Sequence, residues 1–252
     1  MIHQDSTRGG QAHGLAFEDL VKASLFPGAS NHARGPTSLF DVEGVFDREL
    51  GLPTSIKSAK RTTEDRMVIP LSDARRWWAM EGQSFWLIVG GWRQDRGEKI
   101  FALAHQFLIT PEVHRRLVAG IKADEVEAFH EGLRAFMQGS HAAARAWARQ
   151  RRASLPFCIT RLNPKVDSKN QRRLQCSLSV DDLRAVIEDV RREIGSKPDV
   201  LLPMARTWTQ RIGTLSMPLR VISPPRRLAA SDPERTRPSD PRPSDGYARR
   251  RR

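Results

Sequence analysis

The sequence predicts an α/β or α+β fold, a sheet covered by helices, followed by a disordered tail. Three observations predict it. Helical and extended segments alternate along the chain, and Phe85-Trp-Leu-Ile-Val-Gly90 is the continuous apolar run of a strand buried on both faces. Beyond Pro224, large apolar residues nearly vanish. A chain of 252 residues is long enough to bury a sizeable core, divided here into a flexible N-terminus at 1–13, one domain at 14–223 and a basic Pro/Arg-rich tail at 224–252.

The first thirteen residues are polar and contain Gly9-Gly10, which favours fraying. Phe17, Leu20, Val21 and Leu25 then carry helical spacing, and Pro27-Gly28 ends that helix. A Gly/Pro/Asn-rich connection through Pro36 leads to a hairpin around Asp41 and Lys57, with Gly51 and Pro53 at its turn. Ser72 is placed to cap a short helix whose Trp77 and Trp78 read as packing residues rather than base-stacking platforms. The apolar run at Phe85 pairs with Ile100-Phe-Ala-Leu-Ala104 across the Asp95-Arg-Gly97 turn. Thr110-Pro111 opens a helix, and Lys122 to Arg152 is helical with Val126, Phe129, Leu133, Phe136 and Met137 on one face and Gly139 as a break. Phe157-Cys-Ile-Thr160 and Leu174-Gln-Cys-Ser-Leu178 read as strands and Leu183 to Val190 as an amphipathic helix. Leu215 to Ile222 reads as a last edge strand interrupted by Pro218. Six of the sixteen prolines lie from Pro224 onward, in a segment that cannot offset the entropy of ordering itself.

The formal charge of +13 indicates an anionic partner, nucleic acid first, because a cationic surface draws phosphates and releases condensed counterions. From Arg226 onward there are nine arginines and no lysine against four acids, so the tail holds part of that charge and the body remains basic. Cys158 and Cys176 are the only cysteines, and no segment resembles a secretion signal or a membrane span, which points to a reducing, cytoplasmic setting. Both cysteines read as small buried residues, since they and the scattered histidines lack the paired spacing of a zinc site.

The chemistry concentrates in Ser38-Leu-Phe-Asp-Val-Glu-Gly-Val-Phe-Asp47 and Pro53-Thr-Ser-Ile-Lys-Ser-Ala-Lys60, which set Asp41 and Lys57 on neighbouring predicted strands. A carboxylate can hold a hard divalent cation, and an ammonium can orient an attacking water and offset charge on a scissile phosphate. Strand alternation puts Ser55 and Lys57 on one face and Ile56 on the other. Lys60 is a reserve candidate whose odd offset from Lys57 turns it to the opposite face.

These residues resemble the motifs of the PD-(D/E)xK nuclease superfamily, and within it those of type II restriction endonucleases. Glu18, in Gly14-Leu-Ala-Phe-Glu-Asp-Leu20, stands at the family's first-helix glutamate. Asp41 stands at its hairpin aspartate and Ser55-Ile-Lys57 at its acidic-x-Lys tripeptide. The resemblance covers roughly the first hundred residues. Ser55 departs from the pattern, so one metal ligand is missing or comes from Glu18 or Glu43. The resemblance implies a restriction-endonuclease-like central mixed sheet flanked by helices and a Mg2+-dependent endonuclease of restriction–modification type that hydrolyses double-stranded DNA. It implies catalytic roles for Asp41, Lys57, Glu18 and Ser55, with Mg2+ on Asp41 and Glu18 and the Ile56 carbonyl as a further ligand. Ser55 would at most hydrogen-bond a metal-bound water. Cutting both strands of a palindrome would favour a homodimer, because protein symmetry then mirrors DNA symmetry. The departure at Ser55 keeps open an alternative, a non-cleaving DNA-binding protein on a degenerate nuclease fold.

A second constellation lies at Thr160 to Cys176, where Arg161, Lys165, Lys169, Arg172 and Arg173 mix with Asn163, Asn170, Gln171 and Gln175 and a single acid, Asp167. Lys and Arg contact phosphates or guanine edges, and Asn or Gln can bond adenine through two hydrogen bonds at once. The expectation is a basic loop projecting from a sheet, with Lys165, Lys169, Gln171, Arg172, Arg173 and Gln175 as the DNA-binding set. The phrase from Asn163 to Arg173 also resembles a stretch of some restriction-endonuclease-like proteins.

Overall fold

In the computed structural model, residues 12–29, 38–62, 66–95, 98–136, 140–166, 172–195, 201–208 and 216–218 are described, all within a unit that ends at Leu219. Helix α1 (Ala12–Leu25) precedes strands β1 (Thr54–Lys60) and β2 (Val68–Asp73) and the short helix α2 (Ala74–Trp78). The long strands β3 (Phe85–Asp95) and β4 (Glu98–Ile109) follow, then helices α3 (Pro111–Val118), α4 (Ala123–Arg134) and α5 (His141–Ser154). Strands β5 (Arg161–Val166) and β6 (Arg172–Ser179), helix α6 (Val180–Ile194) and the short strands β7 (Ala205–Trp208) and β8 (Ser216–Pro218) complete the described elements.

The fold class is mixed α/β, with parallel and antiparallel pairing in one sheet. Its order is β1-β3-β4-β7, with β8 also on β4; β1 and β3 run parallel and the other pairs antiparallel. Apolar residues on both faces of β3 explain its central place. Ile88 joins Phe17, Val21, Ile56 and Phe101 in a smaller core under α1, while Leu87 and Val89 join Phe107 and the remaining helices in the larger one. Helix α1 approaches closely because Gly90 has no side chain: a Cβ there would lie 2.4 Å from the Phe17 ring. A second, antiparallel sheet of order β2-β6-β5 contributes Ile69, Leu71, Leu174, Cys176 and Leu178 to the larger core.

Several boundaries differ from expectation. Helix α1 starts at Ala12, inside the stretch expected to fray. The cap of α2 is Asp73, which accepts the Arg75 N–H at 2.9 Å, because Ser72 is still paired with Cys176 in β2. Strand β2 was hidden by Pro70, which is tolerated because β2 is an edge strand with a register shift after that proline. Phe157–Thr160 is not a strand: the Thr160 N–H donates to Leu117 O at 2.9 Å, tying the segment to the end of α3. Of the expected last strand only Ser216–Pro218 is described; Gly139, the Arg96-Gly97 turn, residues 1–11 and the tail at 224–252 lie outside the described residues. Trp77, Trp78 and Cys176 are buried as expected, and Cys158 is half-buried.

His114 makes the larger core sensitive to acid. It is fully buried, its Nε2 lies 3.0 Å from Trp77 O, and its ring packs on Trp77 and Phe85. Burial lowers its pKa from 6.5 to about 4. Between those values the unfolded chain binds the proton and the folded chain does not, so stability falls as pH drops from 6.5 toward 4, by up to about 1.4 kcal/mol per pH unit. Urea unfolding at pH 7 and pH 5 should show this loss, and His114→Gln should flatten it. An unchanged slope in the variant would assign the acid sensitivity elsewhere.

Candidate active site

Strand β1 lies at the sheet edge, so alternate backbone N–H groups have no strand to donate to. Val42 covers the first, through Thr54 N–H to Val42 O at 2.9 Å, before the chain turns away into a short 3-10 turn at Gly44–Phe46. The next donor, Ile56 N–H, is taken by a side chain: Asp41 Oδ2 accepts it at 2.6 Å. The same oxygen accepts Lys57 Nζ at 2.9 Å and Ser55 Oγ at 3.4 Å, and Lys57 also donates to Ile56 O at 3.0 Å. The structure therefore brings Asp41, Ser55 and Lys57 together around one carboxylate oxygen. Lys57 and Asp41 remain partly open, at 20% and 25% exposure, whereas Ser55 is 2% exposed.

Glu18 makes no hydrogen bond with this trio among the described residues. Its carboxylate pairs with Lys22 Nζ at 2.5 Å, and α1 packs on the face that carries Ile56, opposite to the Lys57 side. Glu43 precedes the 3-10 turn at Gly44. Among the described residues no three His, Cys, Asp or Glu side chains gather as a metal-holding group. The donors present are nevertheless hard oxygens. Mg2+ is commonly held by one or two carboxylates, with water and substrate phosphates completing its shell. Asp41 fits that limited role, because no hydrogen bond from the described residues reaches its Oδ1.

The basic segment is a hairpin rather than a loop on a sheet. Strands β5 and β6 pair with Arg161 opposite Ser177, Asn163 opposite Gln175 and Lys165 opposite Arg173, and these six share the outer face. Arg172 is in phase with the buried Leu174 and Cys176, and its Nη2 lies 3.1 Å from His141 Nδ1 at the start of α5. Lys169, Asn170 and Gln171 lie outside the described residues.

The basic hairpin meets the far end of β1 at a cleft of about 470 Å³, which Asp41, Ser55 and Lys57 do not line. One wall is Ser58–Lys60 of β1 with Trp92 of β3, beginning one residue beyond Lys57; the other is Asn163, Lys165, Gln175 and Ser177 of the hairpin, with Val68 and Pro70 of β2. Lys60 and Trp92 are registered partners, with Lys60 Nζ 6.0 Å from the indole ring. Trp92 is a wall residue that local sequence gave no reason to select.

His105 was also not anticipated. Lys57, Val89, His105 and Thr207 form one row across the sheet and share a face. Burial lowers the His105 pKa to about 4, helped by the positive charges of Arg184 and Arg61, so its ring is neutral at physiological pH. Its Nδ1 lies 3.0 Å from Arg184 Nη2 and 2.9 Å from Thr207 Oγ1.

No protein-family model, no curated protein and no solved structure matches the chain. Among the described residues, no helix is long and apolar enough to cross a membrane.

Replacing Asp41 with Ala should strand both Ile56 N–H and Lys57. A loss of about 1–3 kcal/mol in urea-unfolding stability is expected, with Asp41→Asn losing less because an amide oxygen still accepts the Ile56 N–H. Equal losses for the two variants would show that charge, not the hydrogen bond, is what Asp41 contributes to the fold.

Proposed function

We propose that the chain is a Mg2+-dependent endonuclease acting on double-stranded DNA, as its resemblance to type II restriction endonucleases implies. One observation carries this reading: residues 14 to 16 positions apart converge so that Asp41 lies 2.9 Å from Lys57 of the edge strand β1, whose far end lines a basic cleft. Asp41 is the residue that would hold the cation, which when bound supplies Lewis-acid stabilisation of phosphate charge. Lys57, anchored by Asp41 and Ile56 O, presents its ammonium where a scissile phosphate would meet the β1 edge and can orient water toward phosphorus. Lys60, Lys165 and Arg173 supply cationic contacts for the DNA backbone or guanine edges along the cleft and the hairpin's outer face.

A second reading is favoured by Ser55. It occupies the acidic position of the family motif, is buried, and directs its hydroxyl into Asp41, so it adds no charge for a metal. On that reading the chain binds DNA without cutting it.

Supercoiled plasmid incubated with the protein and Mg2+ separates the two. The nuclease reading expects nicked and linear products that disappear in EDTA, and Lys57→Ala should lower the rate by about 10²-fold or more with duplex affinity retained. Bound but uncut plasmid at every Mg2+ concentration would leave the second reading standing.

The hairpin gives an independent check. Arg173→Ala should cost about 1–3 kcal/mol on a preferred sequence and little on random DNA if Arg173 reads a guanine, whereas Lys165→Ala, at a phosphate, should weaken both and flatten the salt dependence. Titrations on matched and random duplexes at two salt concentrations measure this, and equal losses for both variants on both duplexes would make the hairpin an electrostatic clamp only.

A further inference from the structure

The cleft between β1 and the hairpin is of the size of a small-ligand site: its volume of about 470 Å³ falls in the range of roughly 300–1,000 Å³. Trp92 is half-buried, packs against the smaller core and lies under the Lys60 ammonium, which a stacking base would displace toward its phosphate. Lys60 and Lys165 make no salt bridge with described residues, and no hydrogen bond from them engages the Gln175 amide. Asn163 donates its Nδ2 hydrogens to Ser177 Oγ at 2.7 Å and Arg161 O at 3.3 Å, which leaves its Oδ1 as an acceptor facing the same outer surface. Two ammoniums without an acidic partner among the described residues, an aromatic ring and amides with open hydrogen-bonding capacity are the parts of a nucleotide site: charge for phosphate, a ring for stacking, and an edge reader.

Resting on the reading of this chain as a DNA-acting protein, we infer that the cleft receives one unstacked nucleotide of a DNA strand, its base against Trp92 and its edge met by Gln175 and Asn163. The neighbouring duplex then lies across the β1 edge, with the strand leaving the cleft at Ser58, one residue from Lys57 along β1 and on the opposite face. The cleft is thus a specificity site for DNA from which a base can leave the stack, and it tolerates any sequence that yields one.

The test uses the full chain in EDTA, so that no strand is cut, and reads fluorescence anisotropy with two probes of one sequence: a perfect duplex, and the same duplex with a single unpaired adenine bulged from one strand. The bulged duplex should bind about tenfold tighter, since stacking one base on an aromatic ring has that order of effect. Trp92→Leu and Gln175→Ala should each remove most of the preference, and Trp92→Phe, which retains a ring, should keep most of it. Equal affinity for the two probes, no binding to either, or a preference that survives Trp92→Leu overturns the inference. If Trp92→Leu does not fold, Gln175→Ala decides, because Gln175 lies on the hairpin's outer face outside the core. The readout is independent of cleavage. A plasmid that is never nicked removes the nuclease reading and leaves the bulge preference measurable; nicking without any bulge preference removes the cleft's role alone.

Discussion

The Asp41 carboxylate replaces a missing strand neighbour, and the rest of the site depends on that substitution. An edge strand leaves every second N–H facing outward, and an unpaired, partly buried donor is costly. By accepting Ile56 N–H, Asp41 Oδ2 ends the row of backbone bonds that Val42 begins, and the same oxygen is then fixed beside Lys57. Asp47 holds the segment between them. It accepts the N–H groups of Glu49, Leu50 and Leu52 and the Trp86 indole N–H at 3.0 Å, which pins the turn to β3. Burial pushes the Asp47 pKa up, but these hydrogen bonds outweigh it and hold the carboxyl below its usual range, so the turn keeps its anionic anchor at neutral pH. Gly51, with φ of +68°, supplies the backbone conformation that returns the chain to β1.

The face that carries Lys57 is kept positive along its length. Arg61 folds over Gly91, where a Cβ would meet its Cδ at 3.0 Å, and Arg184 reaches His105 from α6. A protonated imidazole between two guanidiniums would be repelled by both, and burial opposes the charge further, so His105 serves as a neutral hydrogen-bonding spacer. Asp181 lies near enough to His105 to oppose this shift, while Asp41 is the carboxylate that meets the row at the strand edge, paired with Lys57. On the proposed function, a polyanion approaching the sheet would meet the Asp41 carboxylate set beside a cation.

What was legible in the sequence was what is set by neighbours along the chain. Alternation in Thr54-Ser-Ile-Lys-Ser58 separates Lys57 from Ile56, and the structure buries Ile56 under α1 while Lys57 stays partly open. The apolar run of β3 and the cap at Thr110 are equally local. Alternation also carried a signal that was not used: Leu174, Cys176 and Leu178 mark the core face of β6, which puts Arg172 with them and leaves Arg173 and Gln175 outside. Other features depend on distant partners. Lys60 meets Trp92 only because β1 and β3 pair in parallel, and Pro70 fits a strand only because β2 is at an edge. Glu18 has an ion-pair partner four residues on, so its direction follows from helix geometry and the docking of Phe17 on Gly90, neither of which a motif match specifies.

On the proposed function, affinity and chemistry would fall to different parts of β1 and the segment that precedes it. At its start, Asp41 and Lys57 cancel each other's charge, so that pair adds little to long-range attraction of DNA. At its end, Lys60 faces Lys165 and Gln175 across the cleft without an acid on either wall. A nucleic acid would thus be held mainly by residues whose removal leaves the reacting pair intact, and the reacting pair could be neutralised without dissolving the complex. The same separation makes Ser55 tolerable. A serine beside Asp41 costs the site one ligand charge but satisfies its own buried hydroxyl on the Asp41 oxygen, whereas an aspartate there would put a second carboxylate against Asp41 with Lys57 as the only nearby counter-charge. Without a cation, that arrangement would force one carboxyl to take up a proton or turn away, so Ser55 keeps the trio ordered, and on the proposed function it would do so at the expense of the strength with which a metal is held.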